Sequence, residues 1–155
     1  MINQAVLGAV AASIPPAMQG SAAGQVYTVS SSPGAIDVPT YAGLTDGTTA
    51  GAASTTQGSD GQSLKATFDF PVIVTTITLG GGFAPNLGSA VSPFLNGRNV
   101  QHSSNNVNWT TAFVVSGVTD SALKTFTLDP PITAQYWRIA LDTAAYVATT
   151  EFSFT

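Results

Sequence analysis

The residue types that carry most enzymatic chemistry are scarce in this chain, and their spacing does not bring them together. His102 is the only histidine, so a hydroxyl nucleophile activated by imidazole would have to use it. No Gly-x-Ser-x-Gly elbow exists to present such a serine. Asp69 falls on the outward side of an alternating segment, and Asp129 precedes Pro130-Pro131. Neither carboxylate pairs with a second one at a spacing suited to glycoside hydrolysis. Gly80-Gly81-Gly82 runs into Phe83-Ala84-Pro85 rather than into a helix with a phosphate-binding lysine, which argues against a nucleotide loop. Cysteine is absent, so neither thiolate metal sites nor disulfides are available. These residues point to a protein that binds or assembles and does not catalyse.

The composition narrows the partners. Charged residues make up 8% of the 155-residue chain, against roughly a quarter in an average soluble protein. The four cations, Lys65, Arg98, Lys124 and Arg138, are scattered along a chain of net charge −4. No basic stripe is present to neutralise phosphates or to meet an anionic membrane. Solubility therefore rests on Ser, Thr, Asn, Gln and Gly, a surface typical of extracellular proteins and large assemblies. At 44% hydrophobic the chain has ample material for one core.

The elements fall into two parts. Residues 1–25 read as an apolar arm that docks on its own domain or on a neighbour through Ile2, Val6, Leu7, Val10 and Ile14. A short helix from Asn3 to Ser13 is expected there, stopped ahead of Pro15-Pro16. The run is too short to span a bilayer, and no cationic flank marks it as a signal peptide. Residues 26–155 read as an antiparallel all-β sandwich, because short β-branched and aromatic runs alternate with turn-forming clusters. Strands are expected over 26–29, 64–70, 72–79, 98–103, 109–115, 125–128, 136–141 and 151–154. Residues 45–62, almost without large side chains, read as a long loop. In 64–70 the apolar Leu64, Ala66, Phe68 and Phe70 alternate with polar Lys65, Thr67 and Asp69, and Pro71 is expected to end the strand. Trp109 and Trp137 are expected to anchor the core, and Arg138, among apolar neighbours, to need a carboxylate or carbonyl partner if buried.

Four segments in order carry a resemblance. They are Leu44-Thr45-Asp46-Gly47-Thr48-Thr49; Ala66 to Pro71 running into Val72 to Leu79; Val100-Gln101-His102-Ser103-Ser104-Asn105-Asn106-Val107-Asn108-Trp109; and Ala134-Gln135-Tyr136-Trp137-Arg138-Ile139 followed by Thr150-Glu151-Phe152. Their order and spacing resemble the discoidin or coagulation-factor type C family, the galactose-binding-like jelly rolls. Asn105-Asn106 stands where that family usually has Asp-Gly, and can adopt the positive φ of a tight connection. The tryptophan that often follows the first loop is missing, as are the flanking cysteines.

The resemblance implies a discoidin-like jelly roll with two sites. Its calcium-binding members hold one structural ion where the early loop meets the last strand, which here gives Asp46, Thr49 and Glu151 as ligands. Its sugar-binding members use loops at one end of the sandwich, which here offer Phe83, Asn86, Phe94, Asn96 and Arg98. Two functions are compatible with this reading. The first is a structural protein of a large assembly, most plausibly a phage virion, whose partners are copies of itself or other structural proteins. The second is a carbohydrate-binding adhesion module that recognises cell-surface glycans. Either places the protein on a virion or an extracellular surface.

Overall fold

A computed structural model describes residues 27–32, 44, 45, 47–49, 54–56, 63–84, 88–140 and 146–155. The expected arm, with Ile2, Val6, Leu7, Val10 and Ile14, lies outside the described residues, as do Asp46 and Asn86. The described elements are almost all strands: β1 (Tyr27–Ser32), β2 (Ser54–Thr56), β3 (Ser63–Gly80), β4 (Phe83–Ala84), β5 (Ser89–Ala90), β6 (Asn99–Ser103), β7 (Thr110–Val114), β8 (Leu123–Ala140), β9 (Val147–Thr149) and β10 (Phe152–Phe154). A single turn of helix, α1 (Ser92–Leu95), sits between β5 and β6. The antiparallel jelly-roll sandwich expected from the sequence is the fold observed.

Two long strands organise the sandwich. The first part of β3 pairs with β1 on one side and with the end of β8 on the other, and β6 and β7 extend that sheet beyond β8. The second part of β3 pairs with the beginning of β8 and with β10. Both long strands therefore pass from one layer to the other through irregularities in the ladder. Residues 68–71 of β3 face Gln135 alone, between the pairs Thr67↔Tyr136 and Val72↔Ala134. Residues 128–131 of β8 face Thr75 alone, between Val74↔Ile132 and Thr76↔Thr127.

These bulges explain where the sequence pattern misleads. Pro71 does not end a strand; it lies where the ladder is already interrupted, so its missing N–H costs no pairing. Phe70 does not follow Leu64, Ala66 and Phe68 into the core but is 44% exposed, because the bulge turns it outward. Past the second irregularity the buried residues change from even to odd numbers, from Val72 and Val74 to Ile77 and Leu79. A register shift does this because side chains alternate with period two. The Gln135 side chain holds the first bulge, its Nε2 donating to the carbonyls of Phe68 (3.0 Å) and Asp69 (3.2 Å). The 45–62 segment is also not wholly loop, since β2 within it pairs with β9.

The core is aromatic at its centre. Phe154 of β10 lies within 5.1 Å of Tyr27, 5.4 Å of Phe68 and 5.9 Å of Trp137, centroid to centroid, so it ties the two layers together. Trp137 is fully buried as expected. Trp109 is not a core residue: it is half-buried on the outer face of the larger sheet, with the Arg138 guanidinium 4.2 Å from its ring centroid. It precedes β7 in phase with Thr111, which points away from the core. Arg138 donates from Nε to the amide oxygen of Gln101 at 2.7 Å.

Candidate functional site

At one end of the sandwich three segments close over the end of β3. Gly80 donates its N–H to the Glu151 carbonyl (3.1 Å) and accepts from the Thr150 N–H (3.1 Å) and the Thr149 hydroxyl (3.1 Å). The Thr150 hydroxyl donates to the Gly81 carbonyl. The reason for glycine here is steric. A Cβ on Gly81 would lie 2.0 Å from the Thr119 carbonyl oxygen, and Gly82 has φ +120 with the Thr49 carbonyl 2.7 Å from its would-be Cβ. Gly80-Gly81-Gly82 is thus a crossing point for the early loop, the 115–121 loop and the last turn of the chain.

Glu151 lies beneath this crossing, 2% exposed. Its Oε2 accepts a hydrogen bond from the Gly47 N–H at 3.1 Å. The early loop and the last strand therefore meet, as the resemblance implies, with Thr49 next in the loop. Tyr27 stands nearby, its hydroxyl donating to the Phe152 carbonyl at 2.7 Å. Burial, and after it the Glu151 charge, push its phenol well above the usual range. A buried carboxylate oxygen beside backbone groups suits a hard cation, whose ligands are oxygens and often neutral. Among the described residues no cluster of three His, Cys, Asp or Glu side chains gathers.

The adjoining loops hold the other expected residues. Asp120 bridges two of them: Oδ1 accepts from the N–H groups of Gly82 (3.2 Å) and Ser92 (2.7 Å), and Oδ2 from the Ser92 hydroxyl (2.7 Å). Slight burial raises its carboxyl, but these bonds, led by the Ser92 side chain, outweigh it and hold the group below the usual carboxylate range. Asn96 is engaged at both ends of its amide, donating to the Val118 carbonyl and accepting from the Val118 N–H, each at 3.0 Å. It fixes the 115–121 loop. Arg98 donates from Nε to the Phe94 carbonyl (3.2 Å) and from Nη2 to the Tyr146 carbonyl (3.4 Å). Phe94 packs edge-on against Tyr146 with ring centroids 5.9 Å apart. Phe83, on the β4–β5 hairpin, is 56% exposed.

The structure thus draws Phe94, Asn96 and Arg98 into one framework and leaves Phe83 open to solvent. Sequence reasoning missed Asp120 and Tyr146. Asp120 reads as an ordinary turn residue, and Tyr146 stands alone among small residues. In the β6–β7 connection Asn106 does adopt positive φ (59°), with the Ser103 hydroxyl accepting from the Asn106 N–H at 3.0 Å. His102 lies on β6 with its ring 5.5 Å from that of Trp137, and burial pushes its imidazole below the ordinary range.

Comparison with known proteins agrees with this geometry. No curated protein matches the chain by sequence. Among solved structures, the chain is similar to a CBM32 module of Clostridium perfringens in complex with GalNAc-β-1,3-galactose. The TM-score is 0.59 at 13% identity, covering 83% of this chain and 94% of that one. It is similar to the CBM32 of AlyQ in complex with 4,5-unsaturated mannuronic acid, with TM-score 0.58 at 18% identity, covering 83% and 93%. It is also similar to the family 32 module of NanJ from C. perfringens in complex with galactose, with TM-score 0.56 at 16% identity, covering 83% and 92%. At these identities the likeness establishes the fold. The sequence itself matches the F5/8 type C domain model over residues 25–152, and the chain belongs to that family.

Proposed function

We infer that this protein is a non-catalytic carbohydrate-binding module that recognises glycans on an extracellular or virion surface. The observation that carries this reading is the match of fold to modules solved with sugars bound. The loop end supports it with an exposed aromatic, Phe83, on the β4–β5 hairpin and with Arg98 tied to the Phe94 carbonyl. An aromatic ring stacks on the apolar face of a pyranose, and a guanidinium orients its hydroxyls. Arg98 reaches two carbonyls through Nε and Nη2, and its Nη1 has no hydrogen-bond partner among the described residues. Asn96 acts as a positioning residue.

Asp46, Thr49 and Glu151 would hold a structural calcium ion in this reading. Its role is to pin the early loop to the last strand, which Gly47 and Glu151 already bring together. Deleting residues 1–25 would test the assembly role expected of the arm, which rests on a segment outside the described residues. A glycan array on the full chain, repeated with Phe83→Ala, tests the binding reading. Selective capture of one glycan class, lost in the variant, is the expected result. Clean negatives across neutral and acidic glycans would sink it.

A further inference from the structure

The helix α1 ends on Asn96-Gly97, the only Asn-Gly pair in the sequence. This dipeptide carries its own chemistry. The asparagine amide carbon is within reach of the next residue's backbone nitrogen, and glycine has no side chain to hinder that nitrogen as a nucleophile. Every other asparagine is followed by a larger residue. Gly97 is exposed, with φ +84 and open space where a Cβ would stand, so base and water reach it from solvent.

The fold holds the two reacting groups apart. Gly97 donates its N–H to the Val115 carbonyl at 2.8 Å. The Asn96 amide is engaged by Val118 at both ends, Nδ2 donating to the carbonyl and Oδ1 accepting from the N–H. The extended ψ of Asn96, 138°, turns the Gly97 nitrogen away from the side chain, whereas closing a five-membered ring needs it turned toward Cβ. Every one of these partners lies on a single segment, Val115 to Val118. That segment is itself fastened, since Val115 and Val118 are buried and the Val115 N–H donates to the Arg98 carbonyl at 2.8 Å. One segment therefore guards nucleophile and electrophile together, and its departure frees both.

We propose that Asn96-Gly97 is a self-modification site gated by the 115–118 segment, so that an opening of this end of the sandwich is converted into a permanent carboxylate. When the segment leaves, the Gly97 nitrogen gives its proton to hydroxide and attacks Asn96 Cγ. The N–Cγ bond forms, the Cγ–Nδ2 bond breaks, and Nδ2 takes a proton from water and departs as ammonia. Water then opens the cyclic imide at one of its two carbonyls, giving aspartate or isoaspartate with no change in oxidation state. Either product loses the donor to the Val118 carbonyl and sets an anionic oxygen in its place. Isoaspartate also lengthens the main chain by one carbon between α1 and β6. Residue 96 is thereby unfastened from the loop whose Asp120 holds Gly82 and Ser92.

The test incubates the full chain at mildly alkaline pH, folded in buffer and unfolded in urea, and follows conversion at Asn96 by peptide mass spectrometry. A reaction that needs an opened segment runs at the unfolded rate multiplied by the open fraction. The folded chain should therefore convert at least about a hundredfold more slowly than the unfolded one. Sub-denaturing urea should raise the folded rate in step with hydrogen exchange at the Gly97 and Val118 amides. Val118→Ala, which keeps both backbone groups but loosens the buried anchor, should convert faster than the parent. Asn96→Asp should melt about 3 °C or more below the parent. Equal rates in the folded and unfolded chain would deny the segment its gate, and no conversion in urea would deny the chemistry. Conversion that rises without exchange at Gly97 and Val118 would place the opening elsewhere, and an Asn96→Asp protein as stable as the parent would overturn the unfastening. The chemistry needs no bound sugar, so it holds or fails apart from the glycan reading.

Discussion

The Gly47 N–H donates to Glu151 Oε2 at 3.1 Å across 104 residues of sequence, joining the first loop to the last turn of the sandwich. Glu151 is buried, so removing its carboxylate breaks a part-buried hydrogen bond between two distant segments and empties a packed position. Glu151→Ala should cost about 2 kcal/mol, which for a chain of this size lowers the melting temperature by roughly 4–8 °C. If calcium binds there, EDTA should lower the melting temperature of the parent protein and leave Glu151→Ala unmoved. Thermal melts of both proteins with and without chelator check this. An EDTA shift of equal size in both would remove the ion from Glu151, and no shift in the parent would remove the ion altogether.

Gly81 and Gly88 separate two reasons for glycine. A Cβ on Gly81 would collide with the Thr119 backbone, whereas Gly88 has φ +59 and open space around it. Gly88→Ala should therefore cost only the left-handed backbone, about 1 kcal/mol. Gly81→Ala forces two backbone segments apart and should cost about 3 kcal/mol or more. Urea midpoints of the two variants test the ordering. Equal losses would mean that the crossing at Gly81 relaxes freely.

Asp120 makes stability depend on acid pH. Its carboxyl is held below the usual range by hydrogen bonds from Ser92 and Gly82 that outweigh slight burial. A group with a depressed folded pKa contributes stability above its unfolded pKa, and that contribution is lost as pH falls through the folded value. The parent should thus lose melting temperature below about pH 4 more steeply than Asp120→Asn, and the two curves should run parallel near neutrality. The carboxylate is largely exposed, so the difference should be small and should shrink in high salt. Parallel curves down to pH 2 would deny Asp120 this role.

Much of the fold was legible because period-two alternation survives within each unbulged stretch. Leu64, Ala66 and Phe68 share one face of the alternation and are buried as that pattern expects. What alternation cannot show is a bulge. Phe70 continues the pattern on paper and leaves it in space, because residues 68–71 share one partner, Gln135. Trp109 was misplaced for a related reason: its size suggests the core, but its phase with Thr111 puts it on the outer face under Arg138. Of the loop-end site, Phe83, Phe94 and Arg98 were readable as residue types. The roles of Asn96 and Asp120 were not, since both depend on contacts with the 82–92 and 115–120 segments that no local spacing encodes.

The loop-end reading makes a demand on Phe83 that a purely structural aromatic would not meet. Phe83 is 56% exposed on a two-residue strand, β4. Replacing an exposed side chain away from special backbone geometry moves stability by only about 0.5 kcal/mol. Phe83→Ala should therefore melt within about 2 °C of the parent. If the ring stacks on a sugar, its loss removes about 1 kcal/mol of binding, roughly a fivefold rise in Kd. Arg98→Gln should behave differently, because Arg98 also ties the carbonyls of Phe94 and Tyr146 together. It should lose binding and some stability at once. Calorimetric titration of whichever glycan the array selects, alongside thermal melts, separates the two variants. A Phe83→Ala protein that binds as tightly as the parent would take Phe83 out of the site, and one that unfolds would make it a packing residue despite its exposure.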